Sequence, residues 1–142
     1  MTKNSKPAFG KLESSQHQRK ACLQATTVYY NSACPVCDSG VRFQKKKMDQ
    51  TNTVWRDVHC DITARSDLQS DLEFVRKRLH VVDMHGRLRI GMDAFIALWS
   101  ESPGEEWKAR IFSHPVFYRF SVIAYNCFSW LLYRLNILLN RW

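Results

Sequence analysis

The chain has 142 residues, 45% hydrophobic and 24% charged, which fits one domain with one core and excludes a disordered or collagen-like chain. Its 21 basic and 13 acidic residues leave a formal net charge of +8. The basic residues are spread over four separate segments, so a solvated cationic surface is favoured over a nucleic-acid footprint.

In chain order, residues 1–24 are polar, carry Pro7 and Gly10 and show no periodicity. This predicts a flexible tail ahead of a domain over residues 25–142. The segment lacks the apolar run of about 7–15 residues found in a secretory leader. The expectation is therefore a cytoplasmic protein, in a compartment where structural disulfides are rare. Thr26 to Asn31 (TTVYYN) reads as a strand, ended by Asn31-Ser32. Pro35 suits the first turn of a helix, because its fixed φ fits there and its missing N–H is not needed. That helix should run to Met48, with Gly40 tolerated for close packing.

A second strand is expected in TVWRDVHCDI, with Val54, Val58 and Cys60 on one face and Trp55, Asp57 and His59 on the other. Leu68, Leu72, Val75 and Leu79 recur at helical spacing behind a Ser66-Asp67 cap. Leu79 to Ile90 reads as a hairpin turning at His85-Gly86. A short helix over MDAFIALWSES stops at Pro103-Gly104, a helical piece covers Trp107 to Phe112, and Pro115 opens a long helix to Leu139. In that last helix Arg119, Asn126, Ser129, Tyr133, Asn136 and Asn140 form one polar stripe, and the rest is apolar or aromatic. Its apolar side is expected to pack on the core, with a partner or membrane-surface contact as the alternative. The apolar stretch from Phe120 to Tyr133 falls short of the roughly 20 residues needed to span a bilayer.

The order β-α-β, helix, β-hairpin, helices implies an α/β fold with a right-handed parallel crossover and added antiparallel strands. That is a thioredoxin-like layout with extra C-terminal helices. It places Cys34 and Cys37, the pair in Ala-Cys-Pro-Val-Cys, at the junction of the first strand and first helix. One helical turn separates the two Cα atoms by a span a disulfide accepts, so the pair can open and close with little backbone motion. The free N–H groups of the first turn and the positive end of the helix dipole stabilise a thiolate on Cys34. The predicted division of labour is Cys34 as nucleophile and Cys37 as the resolving thiol. Asp38 opposes the thiolate and Pro35-Val36 adds no charge, which favours a reducing or moderate potential over a strongly oxidising one. The substrate class is a protein or small-molecule thiol or disulfide.

Zinc needs four ligands, and the neighbouring His59 and Cys60 point to opposite faces of one strand, so a metal site is disfavoured. An iron–sulfur cluster has less support still, since Cys22 lies in the tail and Cys127 on the apolar side of the last helix. Cys60 and Cys127 read as small core residues. His59, His80 and His85 read as strand and turn residues, and Lys45 to Lys47 as a solvated helix end near the negative pole of the dipole. No cofactor is expected.

The stretch VYYNSACPVCDSGVRF, followed by LHVVDMHGRLRIGMDAFIALW and a basic-aromatic helix ending YRLN, resembles the DCC family of thiol–disulfide oxidoreductases. The combination of Cys34 and Cys37 with the G-x-D-A-F-x-A-L-W segment at Gly91 to Trp99 carries the resemblance. It implies a thioredoxin-like fold and dithiol redox chemistry. The family pattern D-G-x-C-x-x-C has Asn31 and Ser32 here in place of Asp and Gly. The proline that thioredoxins place opposite the disulfide is missing from RKRLHVVD.

Overall fold

The computed structural model describes residues 25–48, 51–68 and 72–141. The tail expected over residues 1–24 lies outside them. Four strands, β1 (Thr26–Tyr30), β2 (Thr53–Asp57), β3 (His80–Val82) and β4 (Leu88–Ile90), form one sheet in the order β2-β1-β3-β4. β1 and β2 run parallel with Val28 opposite Trp55, whereas β3 is antiparallel to both β1 and β4. Helices α1 (Pro35–Lys47), α2 (Ile62–Asp67), α3 (Leu72–Lys77), α4 (Met92–Glu101), α5 (Glu106–Phe112) and α6 (Pro115–Leu138) complete the described architecture. The expected strand–helix–strand unit and hairpin are both present, and the fold is thioredoxin-like.

Both faces of the sheet are covered, which is why β1 is buried at consecutive positions rather than alternately. On one face Val28 and Val81 pack with Met48, Ala94 and Leu98. On the other, Tyr29 packs with Val58, Ala64, Leu68 and Val75. Helix α1 is also tied to the α4–α5 turn by a buried carboxylate. Glu105 accepts from Gln44 Nε2 (2.7 Å) and Ser102 Oγ (3.0 Å), and pairs with Lys47 (2.7 Å) and Lys108. Burial alone would raise the Glu105 carboxyl, but hydrogen bonds from Lys108, Lys47, Gln44 and Ser102 hold it at about 2. Lys45 likewise donates to the Tyr30 hydroxyl (3.0 Å). The expected solvated lysine run is thus partly recruited to hold α1 in place.

Several expectations change. β2 stops at Asp57, so its alternation does not reach Cys60, which is exposed rather than a core residue. The single helix expected over 66–79 is two, and the first starts earlier. Asp61 caps α2 by accepting from the backbone N–H groups of Thr63 and Ala64 (2.9 and 3.2 Å). A Cβ at Gly40 would meet nothing within 4 Å, so close packing is not its reason.

The largest departure is α6. Its outward side carries Phe120, Ile123, Trp130, Leu131 and Leu138, which are 51–79% exposed, and Cys127 is exposed as well. Ser129 and Asn136, from the polar stripe, are buried instead. The helix rests on the domain through Ser129 and Asn136 together with the half-buried Val122, Tyr125 and Leu132, while Arg119, Asn126 and Asn140 of the polar stripe stay exposed, so the expected burial of its apolar side does not hold.

Candidate active site

The site is built at the end of β1. Asn31 Oδ1 accepts from the Ala33 N–H (3.1 Å) and the Asn31 carbonyl accepts from the Cys34 N–H (3.3 Å), which folds the turn into α1. Asp57, at the end of the adjacent β2, accepts from the backbone N–H groups of Ser32 (3.1 Å) and His59 (2.9 Å). Burial pushes that carboxyl up, but hydrogen bonds from the Ser32 side chain first, then from the His59 and Ser32 N–H groups and the Cys60 side chain, outweigh it and hold it below the usual carboxylate value. Two neighbouring strand ends therefore fix the loop before the cysteines.

Cys34 is the N-cap of α1, with Pro35 in the first turn, as the residue pattern predicts. Its Sγ accepts from the Cys37 N–H at 3.4 Å. Cys34 has no exposed surface, whereas Cys37 is partly exposed. The Cys34 thiol is lowered to about 6. Its hydrogen bond with the Cys37 thiol is the largest cause, burial opposes it, and the Cys37 N–H, the Asn136 amide and the Val36 N–H add to it. Cys37 is driven up, first by that same hydrogen bond with Cys34, then by burial and by the Cys34 charge. Asp38, which opposes the thiolate, is paired with Arg42 one turn along α1 at 2.8 Å, which offsets its charge.

A cavity of about 240 Å³ opens beside the pair, between α1, the end of α3 and α6. Asn31, Cys34, Cys37, Tyr125, Ser129 and Tyr133 line it. Asn136 donates one amide hydrogen to the Leu132 carbonyl (2.9 Å) and reaches Cys34 as well. Tyr125 accepts from the Leu79 N–H (3.0 Å).

The Gly91 to Trp99 segment seats α6, and its Phe95 and Leu98 line the cavity beside the cysteines. Gly91 has φ +67° and lies against the Tyr125 ring, where an added Cβ would meet Cε1 at 3.1 Å. Asp93 accepts from the Tyr118 hydroxyl (2.9 Å), and Phe95 meets Tyr125 edge-on at 5.6 Å between centroids. Trp99 stacks at a tilt on Phe112 (5.3 Å). Two separated motifs in the sequence are thus joined through α6, which roofs the dithiol.

Sequence reasoning placed Cys34 and Cys37 together but gave no role to Asn136, Tyr125 or Ser129. The available signal was the polar stripe itself. Small polar residues one turn apart, on a helix whose other side is more apolar, mark the side facing a polar site. His59 and Cys60 lie in the turn after β2, both exposed. Among the described residues no group of three or more His, Cys, Asp or Glu side chains is placed to hold a metal ion, and no helix is long and apolar enough to cross a membrane.

No curated protein and no solved structure matches the chain. A family model, described as DCC1-like thiol-disulfide oxidoreductase, matches residues 28–138. That span begins within β1 and contains the dithiol turn, the motif that seats α6 and α6 itself. The chain belongs to the DCC1-like thiol-disulfide oxidoreductase family.

Proposed function

We propose that the protein exchanges thiols and disulfides in a reducing compartment such as the cytoplasm, with Cys34 as nucleophile and Cys37 as the resolving thiol. The observation that carries this reading is the buried Cys34 sulfur at a helix N-cap, lowered to about 6. At pH 7 about nine-tenths of it is thiolate.

The Cys34 thiolate attacks one sulfur of a disulfide, forms a mixed disulfide and expels the other sulfur as a thiolate. Bonding Cys34 covalently removes its negative charge. The two effects of Cys34 that drive Cys37 up, its hydrogen bond and its charge, then vanish together and only burial remains. Cys37 releases its proton more readily at the step where it must act, so the first half-reaction activates the second. It attacks the Cys34 sulfur, frees the second substrate thiolate and closes the Cys34–Cys37 disulfide. The substrate gains two electrons and the dithiol loses two.

The test pairs alkylation with exchange. The rate of Cys34 alkylation by iodoacetamide should rise with pH about a midpoint near 6. Cys34→Ser should reduce exchange with a small disulfide to the uncatalysed background while its circular dichroism stays native. An unperturbed midpoint near 8.5, or full exchange in Cys34→Ser, sinks the reading.

The outward side of α6 supports a second reading, in which the fold also serves as a binding module. Its exposed apolar residues are accompanied by Arg119 and Arg134, and the helix has no acidic residue. Two such faces repel each other, whereas an anionic lipid surface matches both their charge and their apolarity.

A further inference from the structure

The cavity beside Cys34 is defined enough to ask what enters it. We propose that it takes a small disulfide carrying a carboxylate, with the carboxylate held by Arg76 and Lys77 and the region near the sulfur contacted by the Asn31 amide. The inference rests on the thiol–disulfide reading and names the substrate class for it.

Access sets the size. Cys34 is buried against Asn136 of α6, itself only 4% exposed, and lines the cavity together with the partly exposed Cys37. A disulfide within a folded protein does not reach that sulfur with α6 in place. The 240 Å³ cavity holds the volume of about eight water molecules. It is smaller than the roughly 300–1,000 Å³ of sites for larger ligands.

Two polar atoms at the cavity residues lack partners. Asn31 is 3% exposed, and its Nδ2 has no hydrogen-bond partner. Its orientation is set, because Oδ1 already accepts from the Ala33 N–H. Arg76 Nε is also buried without a partner, although Nη1 is paired with Glu73 at 3.2 Å. An unmet buried donor costs about 1–3 kcal/mol, and both residues line this one cavity. Acceptors on an occupant would meet both.

Charge sets the chemical class. Arg76, Lys77 and Arg78 are consecutive in the lining, and among the described residues no Asp or Glu lines the cavity, although Glu73 behind it pairs with Arg76 and accepts from the Tyr133 hydroxyl. Lys77 Nζ sits 4.3 Å from the centroid of the Tyr133 ring, another lining residue. The remaining wall is largely apolar, with Leu79, Phe95, Leu98 and Phe128 contributing. A short apolar chain with a sulfur at one end and a carboxylate at the other matches this lining. In the reaction one half of the disulfide joins Cys34 and the other leaves as a thiolate. Attack by Cys37 then frees the first half, so the dithiol is oxidised by two electrons and two small thiols result.

The test is single-turnover oxidation of the reduced full-length protein by 3,3′-dithiodipropionate, bis(2-hydroxyethyl) disulfide and cystamine, whose ends are anionic, neutral and cationic. Each rate is divided by that of 2-mercaptoethanol thiolate with the same disulfide, and closure of Cys34–Cys37 is followed by intact mass. The expected result is a corrected preference of at least about tenfold for the carboxylate over the amine. That preference should shrink with rising ionic strength and largely disappear in Arg76→Gln/Lys77→Gln. Equal corrected rates, with the pair oxidised by all three, overturn this proposal and leave the redox reading standing. Reduction of a protein disulfide faster than any of the three also overturns it. Failure of every disulfide to oxidise the pair overturns the redox reading and the proposal together.

Discussion

At the scale of single residues, the proposed chemistry turns on how Cys34 is held. A helix N-cap and a neighbouring thiol are both legible as CxxC at the start of a helix. The Asn136 amide is not, because it arrives from a residue 102 positions later in the chain. A hydrogen bond to a charged group contributes about 1.5–3 kcal/mol, so Asn136→Ala should raise the Cys34 midpoint by about one pH unit. The pH dependence of iodoacetamide alkylation measures it directly, and an unchanged midpoint removes Asn136 from the site. The sign also bears on stability. A thiol lowered to about 6 in the folded chain and ordinary when unfolded stabilises the fold above the unfolded value, and that contribution is lost as pH falls through 6.

At the scale of elements, α6 is both roof and support, and the Gly91 to Trp99 segment holds it. Gly91 combines φ +67° with a close approach to Tyr125, a conformation L side chains adopt only under strain of about 1–3 kcal/mol. Gly91→Ala should therefore destabilise the protein by about 2 kcal/mol, read from urea unfolding. It should also raise the Cys34 midpoint, because displacing Tyr125 shifts the helix that carries Asn136. Destabilisation with an unaltered midpoint separates the motif from the dithiol. This coupling gives a physical reason for the DAF-type segment to accompany a CxxC from which it is well separated in sequence.

At the scale of the whole molecule, a cationic chain presents an apolar helix side with no covering element among the described residues. Phe120 and Ile123 are 71% and 62% exposed, and Leu131 is 51% exposed on the same side. Burying such side chains is worth about 1.5–3 kcal/mol each, enough with arginine–lipid attraction to bind a membrane surface. The full chain should co-sediment with vesicles containing phosphatidylserine and leave neutral phosphatidylcholine vesicles in solution. Phe120→Glu/Leu131→Glu should abolish binding while leaving the Cys34 midpoint near 6. Equal recovery with both vesicle types, or retained binding in the double variant, sinks the lipid reading.

The sequence by itself determined what depends on neighbours in the chain. The β-α-β order, the Cys34 N-cap, Pro35 in the first turn and the hairpin follow from periodicity and backbone chemistry, which act over a few residues. It also carried the family, through motifs that are each contiguous in the chain although far from one another. The end of β2, and with it the exposure of Cys60, was not legible because strand termination is set by the register with β1. The cap of α2 moved to Asp61 because helix starts depend on which carboxylate meets the free N–H groups. Above all, tertiary structure decided the orientation of α6. An amphipathic pattern defines two sides but not which one faces the domain. Here Ser129 turns into the cavity beside the dithiol and Asn136 hydrogen-bonds Cys34, and the side carrying Phe120, Ile123 and Leu131 is turned outward.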